Sequence, residues 1–454
     1  MNLDTYFITE IEDDLFNQFE NKQLLIEFLD VNNFNAKKNS YILIPKSLNK
    51  SQNEALFIGV SGCDDILDWV ELGSKIGSKL KKDYEINIIP TNLNIDVASF
   101  EYGLKLSAYS FDVFMSKKEN KIQLSVNNSS SENEINNKIE SVFWVRDMVN
   151  YPALNKTPEF FIEKVNDLIN NLNIDLEIYD KSWLIENNFG GVLGVSSGSI
   201  KEPYFLVGKY NTEAKMQIAL VGKGVLFDSG GLSLKSPSGM ETMKTDMAGA
   251  ATSWGLIALL AKQGIDIGLT VYTPLVENMP SGTAIRPGDV LTMRNGKTIE
   301  VLNTDAEGRL IMADALAYAS EFNPDIICDV ATLTGSSYVA LGLEVGAVFS
   351  NNFELANKFL DSNKESHERY HQLPLEKQYK KLIKSDIADM KNTGGSFGGA
   401  ITAALLLEEF VNDNDWIHLD IAGPARSRDN DPLTPKGGTG FGVIGLYNFL
   451  LSLN

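Results

Sequence analysis

The chain has 454 residues, of which 43% are hydrophobic and 22% charged, as is ordinary for a soluble globular protein. This length exceeds that of a usual single core and predicts two domains. The formal net charge of −20 argues against binding of a nucleic-acid backbone, which needs clustered Lys and Arg. Cys63 and Cys328 are the only cysteines, too few for a disulfide framework or a Cys-ligated zinc site.

The N-terminal sequence does not predict a signal peptide. MNLDTYFITEIEDDL is acidic and lacks the basic segment and apolar core of a signal peptide. No uninterrupted apolar run is long enough to cross a bilayer. These features predict a cytoplasmic protein that binds neither membrane nor nucleic acid.

Residues 1–130 are predicted to form a smaller α/β domain without evident chemistry of its own. Its predicted helices are Asp64–Lys82, where apolar residues recur at helical spacing, and Val97–Met115. Its predicted strands are Gln23–Leu29, Tyr41–Pro45, Ala55–Val60 and Tyr84–Ile89. The polar stretch NNSSSENEINN at 127–137 indicates a boundary, so residues 131–150 are assigned to a linker and connecting helix.

Residues 151–454 alternate predicted strands with helices. This pattern is typical of a central, largely parallel mixed sheet flanked by helices, so the whole chain is predicted to be α/β. The predicted strands are Leu176–Tyr179, Tyr204–Val207, Ile218–Val221, Ile267–Thr273, Thr298–Leu302, Ile326–Val330 and Ile417–Asp420. Ligands of such sheets bind beyond the carboxyl ends of the strands.

Two stretches concentrate charged side chains among glycines. They are LVGKGVLFDSGGLSLKSPSGMETMKTDMAGA at 220–250 and VLNTDAEGRLIMADA at 301–315. Together they hold four carboxylates and three cations: Lys223, Asp228, Lys235, Asp246, Asp305, Glu307 and Arg309. Four converging carboxylates would repel one another, and a pair of divalent cations such as Mg²⁺, Mn²⁺ or Zn²⁺ removes that cost. Solvated surface loops are the simpler alternative, which the interleaved glycines disfavour.

The octapeptide NTDAEGRL at 303–310 resembles the signature of the leucine aminopeptidases, the cytosolic di-metal aminopeptidases. Further pieces fall in that family's order and spacing: VGKG at 221–224, FDSGG at 227–231, SLK at 233–235 and DMAGAA at 246–251. The resemblance runs from about Val145 to the C-terminus. It implies a metal-dependent aminopeptidase that hydrolyses the N-terminal peptide bond of peptides, prefers apolar first residues such as Leu, and forms a homohexamer.

The resemblance also implies roles for the charged residues. The implied ligands of two divalent cations (Zn²⁺ or Mn²⁺, with Mg²⁺ as an alternative) are Lys223, Asp228, Asp246, Asp305 and Glu307. Asp228 and Glu307 would bridge both metals, and a hydroxide bridging the metals would attack the peptide carbonyl. Lys235 and Arg309 are the implied catalytic cations: the lysine stabilises the oxyanion, and the arginine holds a bicarbonate that acts as general base. The alternative for Arg309 is a structural salt bridge.

An uncharged pocket for the first substrate side chain follows from the same resemblance. Its implied lining is Met243, Thr332, Gly335, Ala422 and Ala425. The family often has a larger residue at position 425, so we expect a roomier pocket here. His418, in WIHLDIAG, is expected to be a core or supporting residue rather than a ligand.

Three short motifs fit other chemistries. HERYH at 367–371 matches the zincin motif HExxH, but Leu373-Pro374 follows too soon for a long helix. GVSSG at 194–198 fits a nucleophile elbow but also a glycine-rich turn, and GFGVIG at 440–445 lacks the chain length for a following βαβ unit. Two alternatives to the aminopeptidase remain: a catalytically impaired scaffold of the same fold, and a zinc endopeptidase that uses His367 and His371.

Overall fold

A computed structural model describes residues 1–9, 19–90, 92–118 and 121–453 of the chain. These residues divide into two compact units. The first comprises Met1–Ile139 with Asp429–Pro435, and the second Glu140–Arg428 with Lys436–Asn454. Much of the acidic N-terminal sequence, residues 10–18, lies outside the described residues.

The first unit is built on one sheet. Its strands are β1 (Asn2–Ile8), β2 (Tyr41–Ile44), β3 (Glu54–Gly59), β4 (Tyr84–Ile88) and β5 (Leu124–Val126). Within the described residues their order is β2-β3-β1-β4-β5, with β2 antiparallel to β3 and the other pairs parallel. The helices are α1 (Lys22–Val31), α2 (Ile66–Gly77), α3 (Val97–Leu106) and the start of α4 (Glu132–Asn150), in which the boundary between the units falls.

Two predictions for the first unit are wrong. Gln23–Leu29 is helical rather than a strand, because Asn21 caps α1 by accepting a hydrogen bond from Leu24 N at 3.0 Å. Leu25 and Leu29, four residues apart, are its buried face. The helix predicted over Val97–Met115 ends already at Leu106, whereas α2 and the remaining strands are found where they were predicted.

The second unit contributes fourteen strands among the described residues. They are β6 (Ile174–Tyr179), β7 (Tyr204–Tyr210), β8 (Gln217–Gly222), β9 (Gly224–Asp228), β10 (Gly268–Asn278), β11 (Val290–Thr292), β12 (Thr298–Glu300), β13 (Ile326–Ala331), β14 (Val345–Ser350), β15 (Arg369–Gln372), β16 (Met390–Lys391), β17 (Asp415–Asp420), β18 (Arg426–Ser427) and β19 (Gly437–Gly438). The main sheet has the order β15-β14-β17-β13-β8-β10-β7-β6, and β9 also pairs with β10. Its central strands β17, β13, β8 and β10 are parallel, whereas β14 and β7 join them antiparallel. The predicted mixed, largely parallel sheet is thereby confirmed.

Helices cover the main sheet. Besides α4 they are α5 (Pro158–Ile169), α6 (Lys181–Glu186), α7 (Gly190–Ser196), α8 (Pro237–Met240), α9 (Ala248–Gln263), α10 (Gly308–Ser320), α11 (Gly335–Leu341), α12 (Phe353–Ser362), α13 (Gly399–Glu408) and α14 (Val443–Ser452). Both α9 and α10 pack on β8, and alternate β8 residues Ala219 and Val221 share one core cluster with α7, α10 and α13. The intervening Leu220 is buried as well, as expected for a strand covered on both faces. In the described part of the chain, no helix combines the length and the apolar character that a bilayer crossing requires.

The HERYH segment does not form a zincin helix. Its second half belongs to β15, so His367 and His371 do not lie on one helical face. Glu368 is buried and accepts hydrogen bonds from the Tyr370 hydroxyl at 2.7 Å and from Gly445 N at 2.8 Å. The zinc-endopeptidase alternative is therefore wrong, and the buried glutamate accepts hydrogen bonds from the first turn of α14.

The two glycine motifs are structural. GVSSG is not an elbow: its first three residues end α7, the Ser196 hydroxyl donates to Leu193 O at 3.2 Å, and the expected turn is limited to Ser197 and Gly198. GFGVIG forms a turn into the C-terminal helix, with Gly440 and Gly442 at φ +77° and +98° immediately before α14.

Candidate metal centre and active site

The charged motifs meet at the carboxyl edge of the central strands. Lys223 directly follows β8, and Asp228 ends β9. Asp246 lies just before α9, and Asp305 and Glu307 lie between β12 and α10, where Glu307 is the residue that precedes the helix. Because parallel strands point their carboxyl ends the same way, side chains from distant sequence positions converge at this edge.

The five predicted ligands form one cluster. Asp228, Asp305 and Glu307 each offer a carboxylate oxygen within 4.8 Å of the others. The ammonium nitrogen of Lys223 lies 2.7 Å from Asp246 Oδ1 and 3.0 Å from Glu307 Oε1. Apart from Asp305, all of these side chains are buried.

Lys235 bridges the other side of the cluster. Its Nζ lies 2.8 Å from Asp228 Oδ2 and 2.5 Å from Asp305 Oδ1. Its side chain is 17% exposed, whereas that of Lys223 is 2% exposed, so Lys235 is the lysine of the pair that remains accessible to a substrate.

The donor atoms of the cluster suit divalent cations. Asp246 Oδ2 and Glu307 Oε2 are buried and have no hydrogen-bond partner within the described residues. A buried carboxylate oxygen without a partner is costly, and coordination of a cation removes that cost. Several carboxylates and one amine are a donor set that Zn²⁺, Mn²⁺ or Mg²⁺ accepts.

The pKa values in the cluster reflect burial and mutual repulsion. Burial, reinforced by the Glu307 charge, raises the pKa of Asp228 to about 7, and burial raises the pKa of Asp246 well above its ordinary value. For Lys223, burial lowers the pKa, but the charges of Asp246, Glu307 and Asp228 outweigh it, so the pKa lies above its ordinary value. A lysine must be neutral to ligate a metal, so here burial alone does not suffice, and the positive charge of a cation is required.

Arg309 is a buried cation with free donors. It lies in the first turn of α10, and its Nη1 donates to Asn392 O at 2.8 Å, whereas its Nε is buried without a partner in the described residues. Burial lowers the pKa of its guanidinium to about 10 despite the nearby charges of Glu307 and Asp420. Among the described residues it forms no ion pair, so the structural salt bridge considered as its alternative role is not found.

The residues predicted to line the substrate pocket come from three places near this edge. Met243 lies in a 3₁₀ turn before Asp246, Thr332 and Gly335 follow β13, and Ala422 and Ala425 follow β17. Thr332 belongs to the cluster itself: its hydroxyl donates to Asp246 Oδ1 at 2.8 Å, and its carbonyl accepts from Lys223 Nζ at 2.8 Å.

Neutral residues that sequence reasoning missed hold the charged ones. Asn278, the last residue of β10, donates through Nδ2 to Asp228 Oδ1 and to Thr304 O, at 2.8 and 2.9 Å. Thr304 in turn donates through its hydroxyl to Gly230 O at 2.6 Å. A Cβ at Gly231, whose φ is +63°, would lie 2.8 Å from Asn278 Oδ1, which explains the glycine there. The strand predicted from the sequence, Ile267–Thr273, ends before Asn278, so the position of Asn278 at a strand's carboxyl end is visible only in the structure.

His418 is a core residue, as expected. It is fully buried in β17, and its Nδ1 lies 2.5 Å from Asp329 Oδ1. Trp416 donates through Nε1 to the other Asp329 oxygen at 2.7 Å. This arrangement places the histidine inside the sheet rather than among the candidate ligands.

Comparisons with known proteins identify a family and a fold. The model of the cytosol aminopeptidase family, catalytic domain, matches residues 143–447. Probable cytosol aminopeptidases of Syntrophotalea carbinolica and Rickettsia bellii are 44% and 38% identical, covering 77% and 92% of this chain and 73% and 89% of their own lengths. Two solved structures, the bottromycin maturation enzyme BotP in complex with Mn and the cytosol aminopeptidase of Coxiella burnetii, each superpose with TM-score 0.88 at 29% identity. They cover 100% and 99% of this chain and 99% and 96% of their own.

Gly308→Ala tests whether Lys223 must lie where it does. A Cβ at Gly308 would lie 2.6 Å from Lys223 Cε and 2.7 Å from its Nζ, which is pinned by Asp246 and Glu307. We expect peptide hydrolysis to fall on the order of 10²-fold, the cost of about 1 Å of misplacement, without loss of thermal stability, because alanine favours helix. Gly282→Ala, whose Cβ meets nothing within 4 Å, is the control. Wild-type hydrolysis by Gly308→Ala would exclude this role for the contact.

Proposed function

This chain belongs to the cytosol aminopeptidase family, and from that premise we propose that it removes the N-terminal residue of peptides with two divalent cations and prefers apolar first residues such as Leu. The family membership makes it a peptide hydrolase that depends on divalent metal. The observation that carries the finer proposal is the buried carboxylate cluster with its two unpartnered oxygens. A scaffold without activity is disfavoured, because every candidate catalytic position is filled.

We assign the metal ions to the cluster around β8 and β9. Asp228, Asp305 and Glu307 are close enough to share ions, and Asp246 joins them through Lys223. Asp228 and Glu307 would contact both ions, with Lys223 and Asp246 completing one site and Asp305 the other. The ions, Zn²⁺ or Mn²⁺ with Mg²⁺ as an alternative, would supply Lewis acidity to the peptide carbonyl and acidify the attacking water.

Lys235 and Arg309 are the proposed catalytic cations. For Lys235, burial lowers the pKa, but Asp228 and Glu307 outweigh it, so the pKa is raised and the ammonium stays charged. A permanent, partly exposed charge suits stabilisation of an oxyanion. The unpartnered Nε of Arg309 leaves donors for a planar anion, so a bicarbonate bound there is proposed as the general base.

The substrate-binding proposal rests on residues without charge. Met243, Thr332, Gly335, Ala422 and Ala425 come from segments around the cluster and offer no cationic partner to an acidic side chain. Met243 adapts to different shapes, and one methylene in such a pocket changes binding by only about 1–3 kcal/mol. A broad apolar preference follows.

For the organisation of the chain, we propose that residues 151–454 carry catalysis and residues 1–130 form a separate domain, joined through 131–150. All candidate catalytic residues lie within the family match at 143–447, which supports this division. We also propose that the enzyme acts in the cytoplasm as a homohexamer, as the family resemblance implies. Peptides are its proposed substrates, and neither nucleic acid nor a membrane is a proposed partner.

Glu307→Gln tests the metal centre. Glutamine keeps the size of the side chain but removes the charge opposite Lys223, so bound metal and kcat/KM for Leu-p-nitroanilide should both fall. The loss should exceed the about 10–100-fold that removal of a supporting group costs. His371→Ala, an exposed change in β15, should leave both quantities unchanged. If activity required His371 but not Glu307, the assignment of the metal centre would be refuted.

Lys235→Met separates catalysis from metal binding. We expect kcat to fall about 10²–10³-fold, roughly 2.7–4 kcal/mol, because one oxyanion donor is lost. Metal content, measured by atomic emission, should not fall. Lys262→Met is the control, since Lys262 is 21% exposed and pairs with Glu140 away from the cluster. Loss of metal together with rate would make Lys235 a ligand instead.

A panel of Leu-, Phe-, Ala- and Glu-anilides at one metal concentration tests the substrate preference. We expect the highest kcat/KM for Leu, with Phe accepted and Glu poor, because no residue of the proposed pocket carries a positive charge. An N-acetylated Leu-anilide should not be cleaved, since an aminopeptidase needs a free amine. Preference for Glu over Leu would refute the five-residue pocket.

A further inference from the structure

We propose that Asn392 is a positioning residue that fixes the position of the metal-ligand segment relative to the candidate catalytic arginine. It has no role in the family resemblance described above, and none of the charged motifs contains it. The inference rests on the proposed roles of Asp305, Glu307 and Arg309.

The side chain of Asn392 forms hydrogen bonds with the segment 302–306, which carries Asp305 and leads into Glu307. Its Oδ1 accepts from Leu302 N at 2.9 Å and from Asn303 N at 3.3 Å. Its Nδ2 donates to Asn303 O at 2.6 Å and to Ala306 O at 3.3 Å. Both ends of one amide are therefore used on one short segment.

The backbone of Asn392 holds the arginine. Its carbonyl is the acceptor for Arg309 Nη1 at 2.8 Å, the one hydrogen bond that the described residues give this guanidinium. Arg309 is 8% exposed, so an unanchored guanidinium there would be costly. A single residue thus connects the two groups on either side of Glu307.

The location of Asn392 makes it a rigid support. It directly follows β16, which pairs in parallel with β12, and its N–H continues that ladder by donating to Glu300 O at 2.9 Å. The residue is fully buried, so water does not compete for these bonds. Because Asn392 is fixed at a strand end, its four side-chain hydrogen bonds restrict where Asp305 and Glu307 can lie.

These four hydrogen bonds require an amide, which both accepts and donates. Aspartate would keep the acceptor for Leu302 N and Asn303 N but would place an oxygen against the carbonyls of Asn303 and Ala306. Alanine would remove the four side-chain hydrogen bonds without adding repulsion, and its backbone carbonyl would still accept from Arg309. Neither substitution removes a proposed ligand, so any change in metal binding acts through the position of the 302–306 segment.

The test compares Asn392→Asp and Asn392→Ala with a matched control, Asn363→Asp. Asn363 is also buried, and its amide donates to two carbonyls, Phe359 O at 2.9 Å and Gly445 O at 3.1 Å, but it lies between α12 and α14. For each full-length variant, one measures the Mn²⁺ dissociation constant by competition with a chelator, the Tm of the metal-free protein, and kcat and KM for Leu-p-nitroanilide.

We expect the Mn²⁺ dissociation constant to rise about 10–100-fold in both Asn392 variants, with a fall in kcat and little change in KM. Asn363→Asp should lower Tm but leave the dissociation constant of the folded protein unchanged. An unchanged constant in Asn392→Ala, or an equal rise in Asn363→Asp, overturns the proposal. Glu307→Gln measured in parallel separates the two hypotheses: if it keeps its metal, the proposed metal centre fails, and if only the Asn392 variants keep theirs, the positioning role alone fails.

Discussion

The site depends on four carboxylates, three of them buried, that lie within reach of one another. Taken alone, such a cluster is unfavourable, and the raised pKa values of Asp228 and Asp246 express that cost. Lys223 and Lys235 offset part of it through ion pairs of 2.5 to 3.0 Å. Oxygens of Asp246 and Glu307 still have no hydrogen-bond partner among the described residues. Such a cluster is stable only if further positive charge is bound among the carboxylates, which is the physical basis for proposing metal ions here.

The fold supplies the closeness that the cluster requires. Central parallel strands end at one edge, so Lys223, Asp228 and the residues after β13 and β17 meet there although they lie far apart in the sequence. Glycines then allow close approach: a Cβ at Gly249 would lie 2.1 Å from the backbone oxygen of Val330, and one at Gly308 would lie 2.6 Å from Lys223 Cε. A side chain at Gly249 would push α9 away from the sheet, and one at Gly308 would displace the end of Lys223.

Sequence patterns predicted the parts of this fold that have strong local signals. The buried strands β8, β10 and β13 follow from apolar runs, and Gly222 and the charged Lys223 end the run of β8. The segment Gln23–Leu29 failed because a short apolar run does not distinguish a strand from a helix, and the Asn21 cap decides for the helix. Strand β1 escaped notice because it buries the polar Asp4 and Thr5. The prediction that the cluster residues act together as metal ligands came from the resemblance to a family, because no local pattern reveals that residues 223 and 307 are in contact.

What sequence reasoning could not reach are the neutral residues that hold the charged ones. Asn278 and Asn392 are amides at strand ends, a position where asparagine commonly serves ordinary turns, and their partners lie 26 to 90 residues away. Neutral donors suit this task for a physical reason. Another cation would compete with the metal ions for the carboxylates, and another carboxylate would add to the repulsion, whereas an amide donates and accepts without changing the net charge. In the proposed site the charged residues would supply the chemistry, and the two amides hydrogen-bond the charged residues or the segments that carry them.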